Sequence, residues 1–431
     1  MKHQRIERAA LGRRGFLGFA GIGAVAAALP TPLWALAQES YPTLRGKINE
    51  YVAQKKLPNL LAYIARGGAA PEVISAGTIA VGSNVPVDID TIYRVYSMTK
   101  PIAGMAAMIL IGEGKMKLDQ PISDFLPEFK NMMVLVDPEK NLDAVPAKNA
   151  ITIRHLLTHT AGLGYTIISK GPLLKAYLDN GISPGVVSKL PIPGFERGAP
   201  TPDLKTFAER LAKLPLIAEP GSKWSYSVSL DLLGRVIEVV SGMEFGAFLQ
   251  SRIFDPLKMT STFFQIPKAQ AGRLTTNYGV LYGNLIPIDP AEDSIYFDTP
   301  AFPSGGGGLA STARDYDRFL AMLVNFGTLD GARIMSPEMA KLGMSNLLPA
   351  GADITGTWVD GAGHGAGGRS GLGAQAGSFG WGGAAGTNAF VHTGLQLRAT
   401  GMAQYMPSNS FPFQADFPKW VLADILGRAA G

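Results

Sequence analysis

The sequence contains no cysteine in its 431 residues. Disulfide bonds, thiolate nucleophiles and cysteine-ligated metals are therefore excluded. Histidine is scarce, with five residues, and charged residues make up 17% of the chain, against about 25% in a typical soluble domain. We expect neither a metal site nor a cofactor.

The net charge of +5 arises mostly at the amino-terminal end. The first 37 residues hold five basic residues and one acidic residue, a net of +4, which leaves about +1 for the rest of the chain. So small an excess does not indicate a nucleic-acid-binding surface. We therefore expect no nucleic acid partner.

Residues 1–37 read as an export signal. The pair Arg13-Arg14 precedes a mild apolar stretch, Phe19 to Leu29, and the small-x-small triplet Ala35-Leu36-Ala37 precedes Gln38. Paired arginines in this position resemble a twin-arginine signal. The alternative is an uncleaved membrane anchor, but the apolar stretch is shorter than the ~20 residues that span a bilayer. We expect a periplasmic or secreted protein that meets the membrane only through this leader.

The rest of the chain, 38–431, reads as one domain with strands near both ends and a mostly helical middle. We expect a sheet region at about 42–100 and 300–431 and a helical region at about 101–299. The C-terminal strands are expected to pair with the N-terminal hairpin. Predicted helices are Thr43–Lys55, Pro101–Gly112, Leu173–Asn180, Leu204–Leu214, Leu230–Ser241, Phe245–Ile253, Asp315–Phe326 and Phe417–Arg428. Predicted strands are Leu61–Ala65, Glu72–Gly77, Met259–Gln265, Ser378–Gly383, Ala389–His392 and Thr400–Tyr405.

The tetrapeptide Ser97-Met98-Thr99-Lys100 is the strongest chemical signal. Side chains three positions apart share one face of a helix. Pro101 fixes the start of that helix, because proline is tolerated only where its missing N–H had no partner. Ser97 should therefore lie where free N–H groups stabilise an oxyanion. A lysine serves as a base only when it is buried or near positive charge, and the apolar residues that follow predict burial of Lys100.

The segment around Ser97 resembles the active-site segment of the serine β-lactamase and penicillin-binding-protein superfamily, which carries S-x-x-K. Four further segments match that family in the right order: Leu118–Pro127, Ile153–Leu163, Glu219–Ser227 and Gly305–Asp315. The resemblance spans roughly residues 45 to 425. It implies a β-lactamase-like α/β (α+β) fold, in which helices flank an antiparallel sheet and a mostly helical region packs beside it.

The resemblance also implies roles for individual residues. Tyr226 is the second catalytic residue, which relays the proton of Ser97. The family often has asparagine two residues after this tyrosine, where this chain has Val228. Tyr165 matches a pocket tyrosine of the esterase branch, although it could equally be a packing aromatic.

The family's third motif, Lys-Thr-Gly, is replaced by Trp381-Gly382-Gly383. This replacement resembles the esterase branch, because an ester without a free carboxylate needs no cation at that place, and an indole offers an apolar wall. The glycines let the backbone approach the substrate closely. By the same resemblance, the N–H groups of Ser97 and Ala384 form the oxyanion hole.

We therefore expect a serine hydrolase that cleaves small-molecule carboxylic esters through a Ser97 acyl-enzyme. Three alternatives remain open. They are a β-lactamase or D-alanyl-D-alanine peptidase, an acyltransferase that uses the same acyl-enzyme, and a non-catalytic ligand-binding module. The sequence does not indicate an oligomeric state.

Two other motifs lead elsewhere. Gly181-Ile182-Ser183-Pro184-Gly185 fits G-x-S-x-G, but the residue after that nucleophile must donate its N–H to the oxyanion, and Pro184 has none. His155 and His159 are four apart, as in a helical metal pair. With Gly162 and Gly164 close behind, packing and turn formation explain them better.

Overall fold

The structure is a computed structural model and describes residues 41–185, 187–192 and 198–427. The expected export signal lies outside these residues. The helices are α1 (Pro42–Ala53), α2 (Thr99–Gly112), α3 (Ile153–Leu157), α4 (Gly171–Asp179), α5 (Leu204–Leu211), α6 (Ser229–Ser241), α7 (Phe245–Leu249), α8 (Ala313–Val324), α9 (Pro337–Met344) and α10 (Phe413–Gly427). In the described ranges, no helix combines the length and the apolar character needed to span a bilayer.

The strands are β1 (Asn59–Arg66), β2 (Glu72–Gly77), β3 (Ile92–Arg94), β4 (Met133–Leu135), β5 (Ala144–Pro146), β6 (Asn277–Leu281), β7 (Asn284–Asp289), β8 (Ala310–Thr312), β9 (Thr328–Leu329), β10 (Ala332–Arg333), β11 (Gly363–His364), β12 (Arg369–Ser370), β13 (Ser378–Gly382), β14 (Asn388–His392), β15 (Leu397–Met402) and β16 (Tyr405–Met406). Seven of them form one antiparallel sheet in the order β11-β12-β13-β14-β15-β1-β2. The prediction of an antiparallel sheet flanked by helices is confirmed.

The sheet joins the two ends of the chain. Strand β1 pairs with β15, with Leu61 opposite Met402 and Ile64 opposite Ala399. The prediction that C-terminal strands pair with the N-terminal hairpin is therefore confirmed. The register places β13, which carries Trp381, two strands from β15 on the side away from β1.

Strand β1 is buried on both faces because its alternate side chains enter different cores. Leu61 and Tyr63 belong to the main core with helix α2 and most of the helical region. Leu60 and Ile64 belong to a second core, which α1 and α10 close from the other side. The sheet is thus a layer between two helical layers.

A buried ion pair lies just before the segment that carries Ser97. Arg94 is fully buried and makes a 2.5 Å contact with the carboxylate of Asp289. Its guanidinium also donates to the Thr275 carbonyl and to Ser294 Oγ. These contacts fix the end of β3 against the β6–β7 hairpin.

Two predicted elements differ from the structure. The predicted strand Met259–Gln265 is wrong: only Phe263 forms a bridge, to Ala310. The Asp315 carboxylate accepts hydrogen bonds from the Ser261 N–H and the Thr262 hydroxyl, at 2.6 and 3.0 Å, and holds this stretch in turns. The predicted helix from Phe245 to Ile253 ends as α-helix at Leu249 and continues as a π-helical turn, Gln250–Phe254.

Candidate active site

Ser97 lies in a tight turn between β3 and α2. The turn is a 3₁₀ helix, Tyr96–Met98, and α2 follows at Thr99 without a break. Pro101 falls in the first turn of α2, as predicted. Ser97 is the second residue of the 3₁₀ turn, where backbone N–H groups have no acceptor within the helix. Its side chain is half-buried, which leaves it open to a substrate.

Tyr96 reaches this turn in a strained conformation. Its φ is +42°, in the left-handed region that residues with a side chain rarely adopt. Its hydroxyl accepts a hydrogen bond from Asn277 Nδ2 at 3.1 Å, which helps to anchor the residue. The surrounding core therefore enforces the backbone that presents Ser97.

Lys100 is fully buried directly beside the serine. Its Nζ lies 3.3 Å from Ser97 Oγ and donates to the Gly306 carbonyl at 2.5 Å. The same nitrogen lies 4.4 Å from the centroid of the Tyr226 ring and 5.7 Å from that of Tyr165. The ammonium group is thus surrounded by a hydroxyl, a carbonyl and two aromatic faces.

Tyr226 completes a three-residue contact with Ser97 and Lys100. Its hydroxyl donates to Ser97 Oγ at 2.7 Å, and the side chain is buried. The segment before α6 is tied down by its backbone, since Ser225 N–H donates to the His159 carbonyl and Val228 N–H to that of Gly164. The phenol is therefore positioned before any substrate arrives.

Asp231, in the first turn of α6, is a buried carboxylate that the sequence did not reveal. Its Oδ1 accepts the Ser304 hydroxyl at 2.6 Å and the Gly306 N–H at 2.9 Å. Burial raises the pKa of Asp231, and the nearby charge of Lys100 opposes that rise. Asp231 thus holds the glycine whose carbonyl receives the lysine.

Gly306 is needed for this arrangement. A Cβ at that position would lie 2.4 Å from Asp231 Oδ2. The Gly-rich run at 304–308 is therefore an ordered part of the site and packs against Asp231.

Aromatic rings surround Tyr226. Trp381 and Trp224 stack parallel to its ring at 5.9 and 6.2 Å between centroids. Tyr165 lies at 5.5 Å and Trp358 at 4.7 Å. Burial, followed by the charges of Asp231 and Tyr226, raises the pKa of Tyr165 well above its usual value, so its phenol stays neutral. Trp358 is only half-buried, so a ligand can reach it.

The end of β13 abuts the nucleophile turn. A Cβ on Gly383 would lie 2.4 Å from the Val95 carbonyl, so only glycine allows this approach. Gly383 N–H donates to the Thr387 carbonyl at 2.8 Å, which closes a turn containing Ala384. Among the described residues, no acceptor is found for the Ala384 N–H. That group is free to bind a substrate oxygen.

The structure gives the residues of the misleading motifs structural roles, and the His159 ring lies 4.9 Å from that of Tyr226. Ser183 follows a helix, and its Oγ makes no hydrogen bond with any residue in the described ranges. His155 accepts the Thr152 N–H in the cap of α3. His159 has a φ of +56° and packs on Trp224, beyond the end of that helix. In the part of the chain that the structure describes, no cluster of three or more histidine and acidic side chains could hold a metal.

The residues that the sequence led us to expect in the active site lie close together, namely Ser97, Lys100, Tyr226, Tyr165, Trp381, Gly382, Gly383 and Ala384. Three further residues contact the residues of this site: Asp231, Gly306 and Trp358. Asp231 lies five positions after Tyr226, in the first turn of α6, and an acidic residue at that place is the signal that could have indicated it. Gly306 acts through its carbonyl, which the residue type does not reveal.

A model of the beta-lactamase family matches residues 44–420 of the chain. The chain is 36% identical over 278 residues to Protein Rv1367c of Mycobacterium tuberculosis, covering 64% of this chain and 65% of that protein. It is 30% identical over 295 residues to Esterase EstB of Burkholderia gladioli, covering 65% of this chain and 69% of that protein. The matched region thus spans about two thirds of these relatives.

Among solved structures, the chain resembles EstCE1, a hydrolase with promiscuous acyltransferase activity. The TM-score is 0.72 at 25% identity, and the alignment covers 89% of this chain and 97% of EstCE1. The overall fold is thus that of a known architecture.

Proposed function

This chain belongs to the beta-lactamase family, and on that premise we propose that it is a serine hydrolase that cleaves carboxylic esters through an acyl-enzyme on Ser97. One observation carries the proposal: Ser97 Oγ lies 2.7 Å from the Tyr226 hydroxyl and 3.3 Å from Lys100 Nζ. A binding module has no use for a buried amine held against an accessible hydroxyl. The names of EstB and EstCE1 point to the same chemistry.

The proposed reaction has two steps. Ser97 Oγ bonds to the ester carbonyl carbon while its proton passes to Tyr226, which reacts in its phenolate form beside the ammonium group of Lys100, and the N–H groups of Ser97 and Ala384 receive the oxyanion. The bond to the alkoxy oxygen then breaks, and the leaving group takes the proton from the Tyr226 hydroxyl, which becomes a phenolate again. In the second step water attacks the acyl-enzyme and gives a proton to Tyr226, which passes it to Ser97 Oγ as the acid is released.

Lys100 acts here as a fixed positive charge. It lies over the Tyr226 ring and beside Ser97 Oγ, so its field stabilises negative charge on either oxygen. Asp231, through Gly306, keeps this charge in place.

The substrate class follows from the wall of the site. Where relatives with Lys-Thr-Gly present a cation, this chain presents the Trp381 indole against Tyr226. An indole packs against apolar groups and carries no positive charge to attract a free carboxylate. Neutral esters therefore fit better than β-lactams or D-alanyl peptides. Val228, which stands where the family often has asparagine, also favours esters.

Paired alanine variants test the nucleophile. Ser97→Ala should abolish nearly all hydrolysis of p-nitrophenyl esters and all labelling by a fluorophosphonate, whereas Ser183→Ala should leave both intact. Mass spectrometry of the labelled protein should place the adduct on the peptide containing Ser97. An adduct on another serine would refute the assignment.

Acyl transfer is the second candidate, since EstCE1 combines hydrolysis with promiscuous acyltransferase activity. The same acyl-enzyme would then react with an alcohol in place of water. Product analysis in the presence of added alcohols separates the two reactions. Nitrocefin hydrolysis at rates that match ester hydrolysis would instead favour a β-lactamase.

We also propose that the protein is exported through a twin-arginine signal at residues 1–37. The support is the sequence of that segment alone. Replacing Arg13 and Arg14 by lysine should retain the protein in the cytoplasm, as fractionation followed by immunoblotting would show. Unchanged export of this variant would contradict the proposal.

A further inference from the structure

A side chain from the C-terminal helix reaches the turn that holds Ala384. Gln414, the second residue of α10, donates through Nε2 to the Gly383 carbonyl at 2.6 Å and to the Thr387 carbonyl at 2.7 Å. These two carbonyls border the turn on either side of Ala384. We propose that Gln414 is a positioning residue that fixes this turn so that Ala384 N–H points at the oxyanion, an inference that rests on the proposed function.

The turn needs contacts from outside because its own hydrogen bonds are few. We call the Gln414 side chain, with its two hydrogen bonds to the turn, the clamp. Gly383 N–H donates to Thr387, and Gly386 N–H donates to Gly383 at 3.2 Å. Two of its residues are glycines, which lose more conformational freedom on ordering than any other residue. The Gln414 amide uses both of its N–H groups to hold the two ends of the turn together.

The clamp is itself held firmly. The backbone carbonyl of Gln414 accepts a hydrogen bond from Asn388 Nδ2 at 2.8 Å, and the neighbouring Phe413 is fully buried. Further along α10, the Asp424 carboxylate accepts the N–H groups of Thr43 and Leu44 at 3.1 and 3.0 Å, at the start of α1. Through α10, the turn is thus linked to the start of α1.

The clamp also accounts for the second residue of the Trp-Gly-Gly motif. A Cβ on Gly382 would lie 2.8 Å from Gln414 Nε2 and 3.1 Å from its Cδ. The family's Lys-Thr-Gly motif has a threonine there, whose side chain could not share this space with the amide. Gln414 and Gly382 therefore form a matched pair, in which the glycine makes room for the clamp.

Isosteric substitution tests the clamp. Gln414→Met keeps the volume without the N–H donors, and Gln414→Glu places a carboxylate against two carbonyl oxygens. Loss of a whole oxyanion donor costs about 10²–10³-fold in kcat, so a displaced donor should cost roughly 10-fold or more with KM nearly unchanged. Affinity for benzeneboronic acid, which forms a tetrahedral adduct on Ser97, should fall in parallel. Gln54→Met, on an exposed glutamine after α1, is the matched control.

A double-mutant cycle tests the pairing with Gly382. Gly382→Ala should reduce kcat in the wild-type background and much less in Gln414→Ala, where the space is free. Wild-type kcat and boronic acid affinity in folded Gln414→Met protein, or strictly additive effects in the cycle, would overturn the proposal while leaving the esterase assignment standing. A wild-type enzyme that hydrolyses no ester would overturn both.

Discussion

The carboxylate of Asp231 accepts the backbone N–H of Gly306 at 2.9 Å. The carbonyl of the same glycine receives Lys100 Nζ at 2.5 Å, so a single glycine residue separates a buried carboxylate from a buried ammonium group. Neither side chain is exposed to solvent. The two charges compensate each other while the glycine stands between them and keeps the lysine aimed at Ser97.

Replacing Asp231 by asparagine should therefore impair catalysis. The variant keeps the shape but removes the charge that balances Lys100. Hydrogen bonds to charged groups contribute about 1.5–3 kcal/mol, so kcat/KM for p-nitrophenyl butyrate should fall roughly 10- to 100-fold. Asp179→Asn, at an exposed position on α4, is the control. An unchanged kcat/KM with normal folding would show that Asp231 has no part in holding the lysine.

Lys100 and Tyr226 should each be indispensable for turnover. Lys100→Met and Tyr226→Phe retain much of the volume while removing the amine and the hydroxyl. A general acid–base group such as Tyr226 contributes about 10²–10⁴-fold and one preorganised electrostatic group such as Lys100 about 10²–10³-fold, so each variant should lose 10²-fold or more in kcat. Steady-state kinetics with one activated ester measures this loss, and near-normal turnover by either variant would remove that residue from the mechanism.

Trp358 should select the substrate. It is half-buried and lies 4.7 Å from Tyr226 and 6.4 Å from Trp381, so it can contact a bound group. Stacking of aromatic rings contributes about 0.5–1.5 kcal/mol beyond apolar burial. Trp358→Ala should therefore raise KM for phenyl-substituted esters several-fold more than for acetate esters of the same alcohol. Equal changes for both ester series would exclude a role in selectivity.

Acid should destabilise the fold through His364. Burial lowers the pKa of His364 to about 4, from a usual value near 6.5. Between pH 6.5 and 4 the unfolded state therefore binds a proton at His364 that the folded state does not bind. The stabilisation present above pH 6.5 is lost as the pH falls towards 4. The loss from this residue is about 3 kcal/mol. Urea denaturation over this pH range should show a shallower decline in the free energy of unfolding for His364→Gln.

Asp317 should act in the opposite direction. Burial raises its pKa to about 6, although Arg398 opposes the rise. Its contribution to stability is therefore complete below pH 3.8 and is lost as pH rises through 6. Asp317→Asn should make the acid-induced decline steeper than in the wild type. Identical pH profiles for the wild type and both variants would contradict the assignment of these two groups.

Arg94 should be important for stability beneath the nucleophile turn. Removing one partner of a buried ion pair leaves an uncompensated charge, which costs about 3–5 kcal/mol. Arg94→Met should lower the free energy of unfolding by that amount, and adding Asp289→Leu should restore much of it. Chemical denaturation of the two variants measures both effects. A double variant no more stable than Arg94→Met would show that an uncompensated Asp289 charge is not what destabilises the Arg94→Met variant.

The sequence was sufficient where the relevant contacts are local. Ser97 and Lys100 are three residues apart, and Pro101 fixes the start of their helix, so their contact follows from helix geometry alone. The strand-like segments near both ends of the chain, with a helical middle between them, likewise predicted the sheet. Tyr226 and Trp381 could be named only through the family resemblance.

The remaining contacts depend on distant parts of the chain. Lys100 meets the carbonyl of Gly306 across 206 positions, and Gln414 meets Gly383 across 31. A role played by a backbone carbonyl cannot be predicted from the residue type. A glutamine near the start of a helix is typical of a solvent-exposed position. Met259–Gln265 was mistaken for a strand because the Asp315 carboxylate, which accepts the Ser261 N–H and the Thr262 hydroxyl, is 54 positions from Ser261.

Strand β1 can pair with β15 only after the C-terminal part of the chain has been synthesised. Arg66, at the end of β1, reaches the Leu395 carbonyl across 329 positions, so ribosomes that add about 5–20 residues per second need roughly 15 to 70 s to supply that partner. Throughout this interval one edge of β1 lacks its neighbour and requires shielding from other nascent chains. Chaperone binding during translation should then protect this edge from pairing with other chains.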